Sequence, residues 1–156
     1  MYVVTGATGN TGHIVAKKLL DSGPKVRAIG RTADRLQPLV AQGAEPFVAD
    51  LSDKQALTKA FTGARAVYAM IPPNLTTQDY RAYQDRITDA IAAALAAAKV
   101  PYAVTLSSFG ADKPDKTGPV VGLHNLAATQ PDRRVERSAS ARRLFHGEHS
   151  RAGRNR

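Results

Sequence analysis

The chain has 156 residues, a formal net charge of +9 and no cysteine. Its length predicts one domain, and the missing cysteines exclude a disulfide framework and any metal site with thiolate ligands. The apolar N-terminus is too short for a signal peptide, and the alanine-rich run Ile91–Ala98 is too short to span a bilayer. We therefore expect a soluble cytoplasmic protein without a metal site.

The positive charge is unevenly distributed along the chain. Residues 1–126 carry a net charge of +4, whereas residues 127–156 hold eight arginines, no lysine and three acids, for a net charge of +5. This break predicts a folded domain over residues 1–126 and a basic tail over residues 127–156. Two interpretations of the tail remain open, an out-of-frame reading of a GC-rich gene and a genuine disordered tail.

A glycine-rich segment near the N-terminus is the most informative motif. Gly6, Gly9 and Gly12 follow the apolar strand Tyr2–Thr5 and precede a helical pattern that begins at His13. Such a turn cradles phosphate: the first glycine permits a tight turn, the second lets a pyrophosphate approach, and the third lets the helix pack closely. The helix N-terminus adds unpaired N–H donors. The alternative is a purely structural turn. The predicted phosphate site comprises Gly6, Thr8, Gly9, Asn10, Thr11 and Gly12.

The remaining chain alternates between strand and helix patterns. The predicted strands after the first are Val26–Gly30, Pro46–Ala49, Ala66–Ile71 and Tyr102–Leu106. The predicted helices run from His13 to Gly23, from Thr32 to Gly43, from Ser52 to Gly63, and from Thr76 to just before Pro101. Thr32, Ser52 and Thr76 are the expected N-caps, and Pro38 predicts that the second helix is short or kinked.

Apolar residues recur at helical spacing in the first and last of these helices. The expected inward positions of the first are Ile14, Val15, Leu19 and Leu20. Those of the last are Tyr80, Tyr83, Ile87, Ile91, Ala94 and Ala98. Alternation of strands and helices with short connections predicts an α/β, Rossmann-like, doubly wound parallel sheet with strand order 3-2-1-4-5 in a three-layer αβα arrangement.

The end of the second predicted strand is where dinucleotide folds read the adenosine ribose. An acid at this position binds a free 2′-hydroxyl, whereas arginine accommodates a 2′-phosphate. This chain has Arg31 there, with Arg35 one turn on, and no acid before Asp34. The pattern favours NADP(H), with NADPH bound in preference to NADH. The alternative is that Arg31 is an ordinary surface charge.

Further candidates stand at the ends of the later strands. Asp50 is placed to meet the adenine edge, or else begins the loop that Ser52 caps. Met70, Ile71 and Pro72 leave the fourth strand at the switch point where ligands bind, and would wall the ribose and nicotinamide unless they form a plain turn. The predicted contacts here are Asp50, Leu51, Met70, Ile71, Pro72 and Ser107.

No catalytic residue can be assigned. The Tyr-x-x-x-Lys pair that usually donates the proton in short-chain reductases is absent from the sequence. His124 is a candidate substitute acid, although a lone histidine is more often a surface or packing residue. His146 and His149 show no ligand spacing typical of a metal site.

Five motifs in order resemble the NmrA-like branch of the atypical short-chain dehydrogenases/reductases. They are Thr5–Gly12, Val26–Ala28 leading to Arg31, Val48–Asp50, Met70–Pro73 and Leu106–Ala111, and Thr117–His124 extends the likeness. The resemblance implies a Rossmann domain that binds NADP(H) or NAD(P)+. It also implies either reduction of quinone-like or small carbonyl substrates or redox sensing without catalysis.

The resemblance ends after Leu126, where family members continue into a small substrate-binding portion. The chain is therefore expected to be a C-terminally truncated NAD(P)H-binding protein with little or no turnover and an unidentified small-molecule substrate. The exposed edge of the fifth strand favours self-association. Two alternatives stay open: a redox sensor that binds a partner protein and, less favoured, nucleic-acid binding through the arginine-rich tail.

Overall fold

The computed structural model describes residues 1–74 and 76–106. In this part of the chain, five parallel strands form one sheet with the order β3-β2-β1-β4-β5. The strands are β1 Tyr2–Val4, β2 Val26–Gly30, β3 Glu45–Val48, β4 Ala66–Ala69 and β5 Tyr102–Thr105. The helices are α1 Asn10–Asp21, α2 Gln37–Val40, α3 Lys54–Phe61 and α4 Tyr80–Ala97, with a 3₁₀ turn at Asp34–Leu36. The predicted fold class and strand order are confirmed.

The sheet separates two apolar layers, because successive residues of a strand point to opposite faces. In β1, Val3 belongs to the layer under α3 and α4, whereas Val4 belongs to the layer under α1 and α2. Both side chains are fully buried, as expected for a parallel sheet covered on both faces. The apolar residues Leu57, Ala60 and Phe61 of α3 are buried in the first layer.

Helix α1 differs from its prediction in where it begins and in which residues it buries. It starts at Asn10, and its buried residues are Gly12 and Ala16. Ile14, expected to point inward, is 55% exposed. Small residues four positions apart let the helix axis approach the sheet closely, so larger side chains lie along the flank. Val15, Leu19 and Leu20 pack there, partly buried.

Helices α3 and α4 are capped by aspartates and not by the predicted hydroxyl residues. The Asp53 carboxylate accepts the N–H groups of Gln55 and Ala56 at 2.9 and 3.0 Å. The Asp79 carboxylate accepts the Ala82 N–H at 2.9 Å. The predictions at Ser52 and Thr76 were wrong.

The displaced hydroxyl groups are engaged elsewhere. The Ser52 hydroxyl donates to Asp50 at 2.6 Å, and the Thr76 hydroxyl donates to Asn74 at 2.8 Å. Because each hydroxyl completes a local turn, the next carboxylate along the chain caps the helix. The third expected cap, Thr32, was also wrong, since the 3₁₀ turn begins after Ala33 with no side-chain cap. The short second helix that Pro38 predicted is confirmed by the four residues of α2.

Arg27 on β2 joins β2, β3 and α3. Its Nη2 lies 2.9 Å from a carboxylate oxygen of Glu45, and its Nη1 donates to the Ala60 carbonyl at 2.6 Å. The guanidinium also lies 5.8 Å from the centroid of the Phe47 ring. This side chain is only 14% exposed, so its charge is committed to holding the fold together.

Thr88 on α4 generates a stability prediction. It is 2% exposed, and its Oγ1 has no hydrogen-bond partner within residues 1–74 and 76–106. Thr88→Val keeps the branched shape and removes a buried unpaired hydroxyl, so the free energy of unfolding should rise by about 1–2 kcal/mol. Urea denaturation measures this change. In Thr58→Val, the matched control on α3, the hydroxyl that is lost already donates to the Lys54 carbonyl, so no gain is expected. Loss of stability in Thr88→Val would contradict the prediction.

Candidate functional site

The carboxyl ends of β1 to β4 open into a cleft of about 780 Å³. It lies where the strand order reverses between β1 and β4, the position at which doubly wound folds bind ligands. Most of the residues predicted from the sequence line this cleft. They are Gly6, Thr8, Gly9, Asn10, Thr11, Arg31, Arg35, Asp50, Leu51, Met70 and Pro72.

Two of the predicted residues do not line the cleft, and a third falls outside the described part of the chain. Gly12 is buried behind the loop in the first turn of α1. Ile71 is 8% exposed and belongs to the apolar layer under α3 and α4, because the extended chain after β4 turns neighbouring side chains to opposite sides. Ser107 lies outside the described residues, as do His124 and the whole of residues 127–156.

Glycine has a different physical role at each of the three positions of the loop. Gly6 has φ +59°, a left-handed conformation that favours glycine. A Cβ on Gly12 would collide with the Gly6 carbonyl, 2.7 Å from its carbon, so the helix rests directly on the loop. A Cβ on Gly9 would meet only the Gly6 carbonyl oxygen, at an ordinary 3.4 Å. Packing within the described residues therefore does not demand glycine at position 9, whereas a bound ligand would.

The N-terminus of α1 is open toward the cleft. Its N-cap is Gly9, which has no side chain to cap the helix, and its first turn holds no acid. The N–H groups of Asn10, Thr11 and Gly12 donate to none of the described residues. Since α3 and α4 are both capped by aspartates, α1 is the long helix here whose donors and dipole stay available for an anion.

A buried hydrogen bond holds the two central strands together at the cleft. The Thr5 hydroxyl, fully buried, accepts the Met70 N–H at 3.0 Å. The Thr5 N–H donates to the Tyr68 carbonyl at 2.9 Å. Met70 also reaches the glycine loop, because its Sδ would lie 2.8 Å from a Cβ placed on Gly6. The loop and the end of β4 are thus packed as one unit.

Arg31 and Arg35 stand together at the end of β2, both exposed and both lining the cleft. Neither makes a hydrogen bond or an ion pair with the described residues. This separates them from Arg27, whose guanidinium is fully occupied. Two unengaged guanidinium groups at this edge form a local positive field suited to an anion.

Asp50 serves the loop after β3 and also lines the cleft. One of its carboxylate oxygens accepts both the Ser52 hydroxyl, at 2.6 Å, and the Ser52 N–H, at 2.8 Å. These two hydrogen bonds hold the pKa of Asp50 below its usual value; partial burial opposes them, and the charges of Arg31 and Arg86 add to the lowering. Asp50 therefore belongs to the turn that Ser52 completes, and its contact with adenine stays a prediction.

Tyr83, in the first turn of α4, is a cleft residue that the sequence analysis assigned only to the core. Its hydroxyl donates to the Pro72 carbonyl at 3.0 Å. Burial raises the pKa of this phenol, Asp50 raises it further, and Arg31 opposes both. The signal available in the sequence was a polar aromatic residue at the end of an apolar stripe. The other lining residues not predicted are Ile29, Gly30, Ala49, Pro73, Asn74, Thr76 and Ile87.

Comparison with known proteins identifies the family. The sequence profile of the NAD(P)H-binding family matches residues 6–144, which is most of the chain. The chain belongs to the NAD(P)H-binding family. This confirms the resemblance inferred from the motifs and the prediction of a nicotinamide dinucleotide as the cofactor. The match also runs past residue 126, so the boundary drawn there stays a prediction.

Two curated relatives indicate the kind of protein in which this sequence occurs. The chain is 38% identical over 115 residues to the (4-alkanoyl-5-oxo-2,5-dihydrofuran-3-yl)methyl phosphate reductase of Streptomyces griseus, covering 74% of this chain and 37% of the relative. It is 42% identical over 65 residues to quinone oxidoreductase 2 of Escherichia coli, covering 40% of this chain and 23% of the relative. The chain thus spans well under half the length of these reductases.

Solved structures agree on the fold. The NADPH-dependent quinone oxidoreductase of Escherichia coli, complexed with NADPH, superposes with a TM-score of 0.72 at 26% identity, over 86% of this chain and 46% of that one. The triphenylmethane reductase of Citrobacter, complexed with NADP(H), gives 0.70 at 23% identity, over 83% and 46%. These reductases support neither the sensor nor the nucleic-acid alternative.

Within residues 1–74 and 76–106, no helix is long and apolar enough to cross a bilayer.

The cleft fits a dinucleotide on its own geometry. Its volume lies in the range of about 300–1,000 Å³ that small-molecule sites occupy. The open α1 N-terminus matches a pyrophosphate, and the space beside Gly9 is one that a side chain would fill. The cofactor would supply hydride chemistry when bound, and the residues that line the cleft would bind and orient it.

The hydrogen bonds on Asp50 predict a pH dependence. Because they lower its pKa below the unfolded value of about 3.9, they stabilise the folded chain above that pH, and the benefit is lost as the pH falls through the lower folded pKa. Asp50→Asn should therefore be less stable than the parent at pH 7 and should approach the parent's stability as the pH falls through the lowered pKa of Asp50, as measured by urea midpoints along a pH series. A stability difference that does not vary with pH would contradict this origin.

Proposed function

We propose that this chain is the cofactor-binding part of an NADPH-dependent reductase of quinone-like or small carbonyl compounds. The quinone and furanone phosphate reductases to which it is similar support this substrate class. We also propose that residues 1–126 form the functional domain and that the protein works in the cytoplasm. Self-association through the outer edge of β5 belongs to the same proposal, supported by the exposure of Tyr102 and Val104 there.

The observation that carries the proposal is the pair of unengaged arginines at the end of β2. A guanidinium at this position meets a 2′-phosphate, where an acid would bind a free 2′-hydroxyl. Arg31 and Arg35 are exposed, line the cleft and are not used by the described part of the fold. We infer that their role is to bind the 2′-phosphate.

The remaining contacts follow from the order of the strand ends. The pyrophosphate lies over Gly9, Asn10 and Thr11, where the N–H groups of α1 point. The adenine lies beside Asp50 and Leu51 at the end of β3. The nicotinamide and its ribose pass along Met70 and Pro72 toward β5, where Ser107 is proposed to meet the substrate carbonyl.

An activity assay separates a reductase from a redox sensor. Oxidation of NADPH is followed in the presence of a quinone panel, with the parent protein and without it. Because this chain spans well under half the length of its relatives, slow turnover is expected. Turnover of any quinone would exclude a non-catalytic sensor, whereas failure to bind either dinucleotide would overturn the whole proposal.

Cofactor preference tests the role of Arg31. The parent should bind NADPH more tightly than NADH. Arg31→Asp should weaken NADPH binding by about tenfold to a hundredfold, the value of a charge-assisted hydrogen bond of about 1.5–3 kcal/mol. NADH binding should change far less, because it carries no 2′-phosphate. Isothermal titration of both dinucleotides measures the preference.

The matched control is Arg65→Asp. Arg65 is exposed and directly precedes β4, so it lies at the amino edge of the sheet, away from the cleft. Its replacement by aspartate changes the net charge by the same amount as Arg31→Asp. This variant should keep the parent's preference. Equal affinity of the parent for NADPH and NADH, or equal losses of NADPH affinity in the two variants, would show that Arg31 does not bind the 2′-phosphate.

The loop is tested by Gly9→Val. The extended backbone at Gly9, with φ −94°, and the ordinary 3.4 Å contact that its Cβ would make with the Gly6 carbonyl oxygen mean that the fold should accept valine, at a capping cost of about 1 kcal/mol. Binding of NADPH should be abolished, because the side chain fills the space above the helix N-terminus. Gly9→Ala should give an intermediate loss. Circular dichroism confirms the helical content, and unchanged affinity in the valine variant would show that phosphate binds elsewhere.

A further inference from the structure

The outer edge of β5 presents backbone groups that the described sheet does not pair. Along a strand of a parallel sheet, the N–H and C=O groups of successive residues point to opposite sides, so every second residue of an edge strand points outward. The Leu106 N–H donates to the Ala69 carbonyl of β4 at 3.0 Å. Ala103 and Thr105, which lie an odd number of residues before Leu106, therefore direct their N–H and C=O groups away from the described sheet.

The β3 edge of the described sheet lacks one of the corresponding donors. The Ala49 N–H donates to the Gly30 carbonyl of β2 at 3.0 Å, so by the same alternation Pro46 and Val48 point outward. Proline has no N–H, and proline on an edge strand is a common protection against pairing with another chain. By contrast, the sequence from Tyr102 to Leu106 contains neither proline nor a charged residue. Further strand pairing is therefore favoured at β5 and opposed at β3.

The side chains of β5 divide between a covered face and an open face. Ala103 is 1% exposed and belongs to the apolar layer under α3 and α4. Tyr102, Val104 and Leu106 point to the opposite face and are 55%, 37% and 36% exposed. Strands of a doubly wound sheet are normally covered on both faces. A neighbouring strand with apolar side chains at matching positions would bury part of this open face.

The backbone pattern and the side-chain pattern of β5 are both symmetric about Val104. An antiparallel copy of the strand, related by a twofold axis through Val104, would set Ala103 opposite Thr105 of the second copy. These two residues could then exchange both of their N–H···O=C hydrogen bonds. The same arrangement sets Tyr102 beside Leu106 of the second copy, and Val104 beside its own counterpart. A strand of another sequence has no reason to match both patterns at once.

We propose that two copies of this chain associate through β5, antiparallel and in register at Val104, to form one continuous sheet. This rests on the self-association proposed above and specifies its partner and its register. Association stops at two copies, because each end of the joined sheet is then a β3 edge, where Pro46 opposes further pairing.

Cysteine crosslinking tests the register. The chain has no cysteine of its own, so Val104→Cys introduces one thiol per chain. In an antiparallel pair without mutual hydrogen bonds, opposite Cα atoms lie about 4.5 Å apart, within the span of about 4.4–6.8 Å that a disulfide bridges. The oxidised variant should therefore run as a covalent dimer on a non-reducing gel. Val48→Cys is the matched control, because Val48 is 52% exposed on β3, and it should run as a monomer.

Sedimentation velocity of the full chain, over a wide range of protein concentration, tests the association itself. The parent should form a dimer. Val104→Lys should raise the dissociation constant of the dimer by about tenfold, because it replaces an apolar pair by two like charges placed opposite each other. Mixing Val104→Lys with Val104→Glu should restore the dimer, since opposite charges then meet. Val48→Lys makes the same change in net charge and should leave the dimer intact.

A monomeric parent would overturn the proposal and is the result expected if residues 107–156 of the same chain cover the edge. Equal crosslinking or equal weakening at positions 48 and 104 would overturn it too, as would assemblies larger than a dimer. Titration of NADPH into the same samples keeps the cofactor site separate. A monomer that binds NADPH would refute the dimer alone, whereas a dimer that binds neither dinucleotide would refute the proposed cofactor site alone.

Discussion

The contact between the first turn of α1 and the loop before it is the constraint on which the site depends. The helix can lie there only because Gly12 has no Cβ to strike the Gly6 carbonyl. The left-handed conformation of Gly6 turns the chain back at the end of β1. Together these two residues bring the helix N-terminus to the switch point of the sheet, where anion binding needs it.

The ends of the other strands contribute to the site according to how far the fold already engages their side chains. The Thr5 hydroxyl and the Met70 N–H join β1 to β4 through a buried hydrogen bond, so these two groups serve the fold. Asp50 divides its carboxylate between the Ser52 turn and the cleft. Arg31 and Arg35 make no hydrogen bond or ion pair with the described residues, so their N–H donors are available to a ligand. The base of the cleft is thus held by hydrogen bonds between strand ends, and its edge at the end of β2 is electropositive.

Much of the fold could be read from the sequence, because strand and helix patterns alternate with few interruptions. Strand order followed from general rules of connection, and most cleft residues followed from their places at strand ends. The helix caps at Ser52 and Thr76 were wrong, since the choice between a hydroxyl and a nearby carboxylate depends on which one a local turn has already engaged. The Ile71 side chain packs in the apolar layer under α3 and α4, because the backbone just after the strand sets its direction, and its contact with the cofactor stays a prediction. Tyr83 was assigned to the core because helical periodicity cannot reveal that its hydroxyl reaches the carbonyl of Pro72, eleven residues earlier in the chain.

The uncapped N-terminus of α1 couples the stability of the protein to its ligand supply. A serine or aspartate at position 9 would stabilise the helix by about 1 kcal/mol. Its side chain would, however, occupy the space that an anion needs, and an aspartate would also repel the anion. The open end of the helix is therefore stabilised only when an anion binds to it. By mass action, a ligand present at a hundred times its dissociation constant adds about 2.7 kcal/mol to the folded state. The lifetime of the folded chain in a cell would then report on the local concentration of reduced dinucleotide, even where no substrate is turned over.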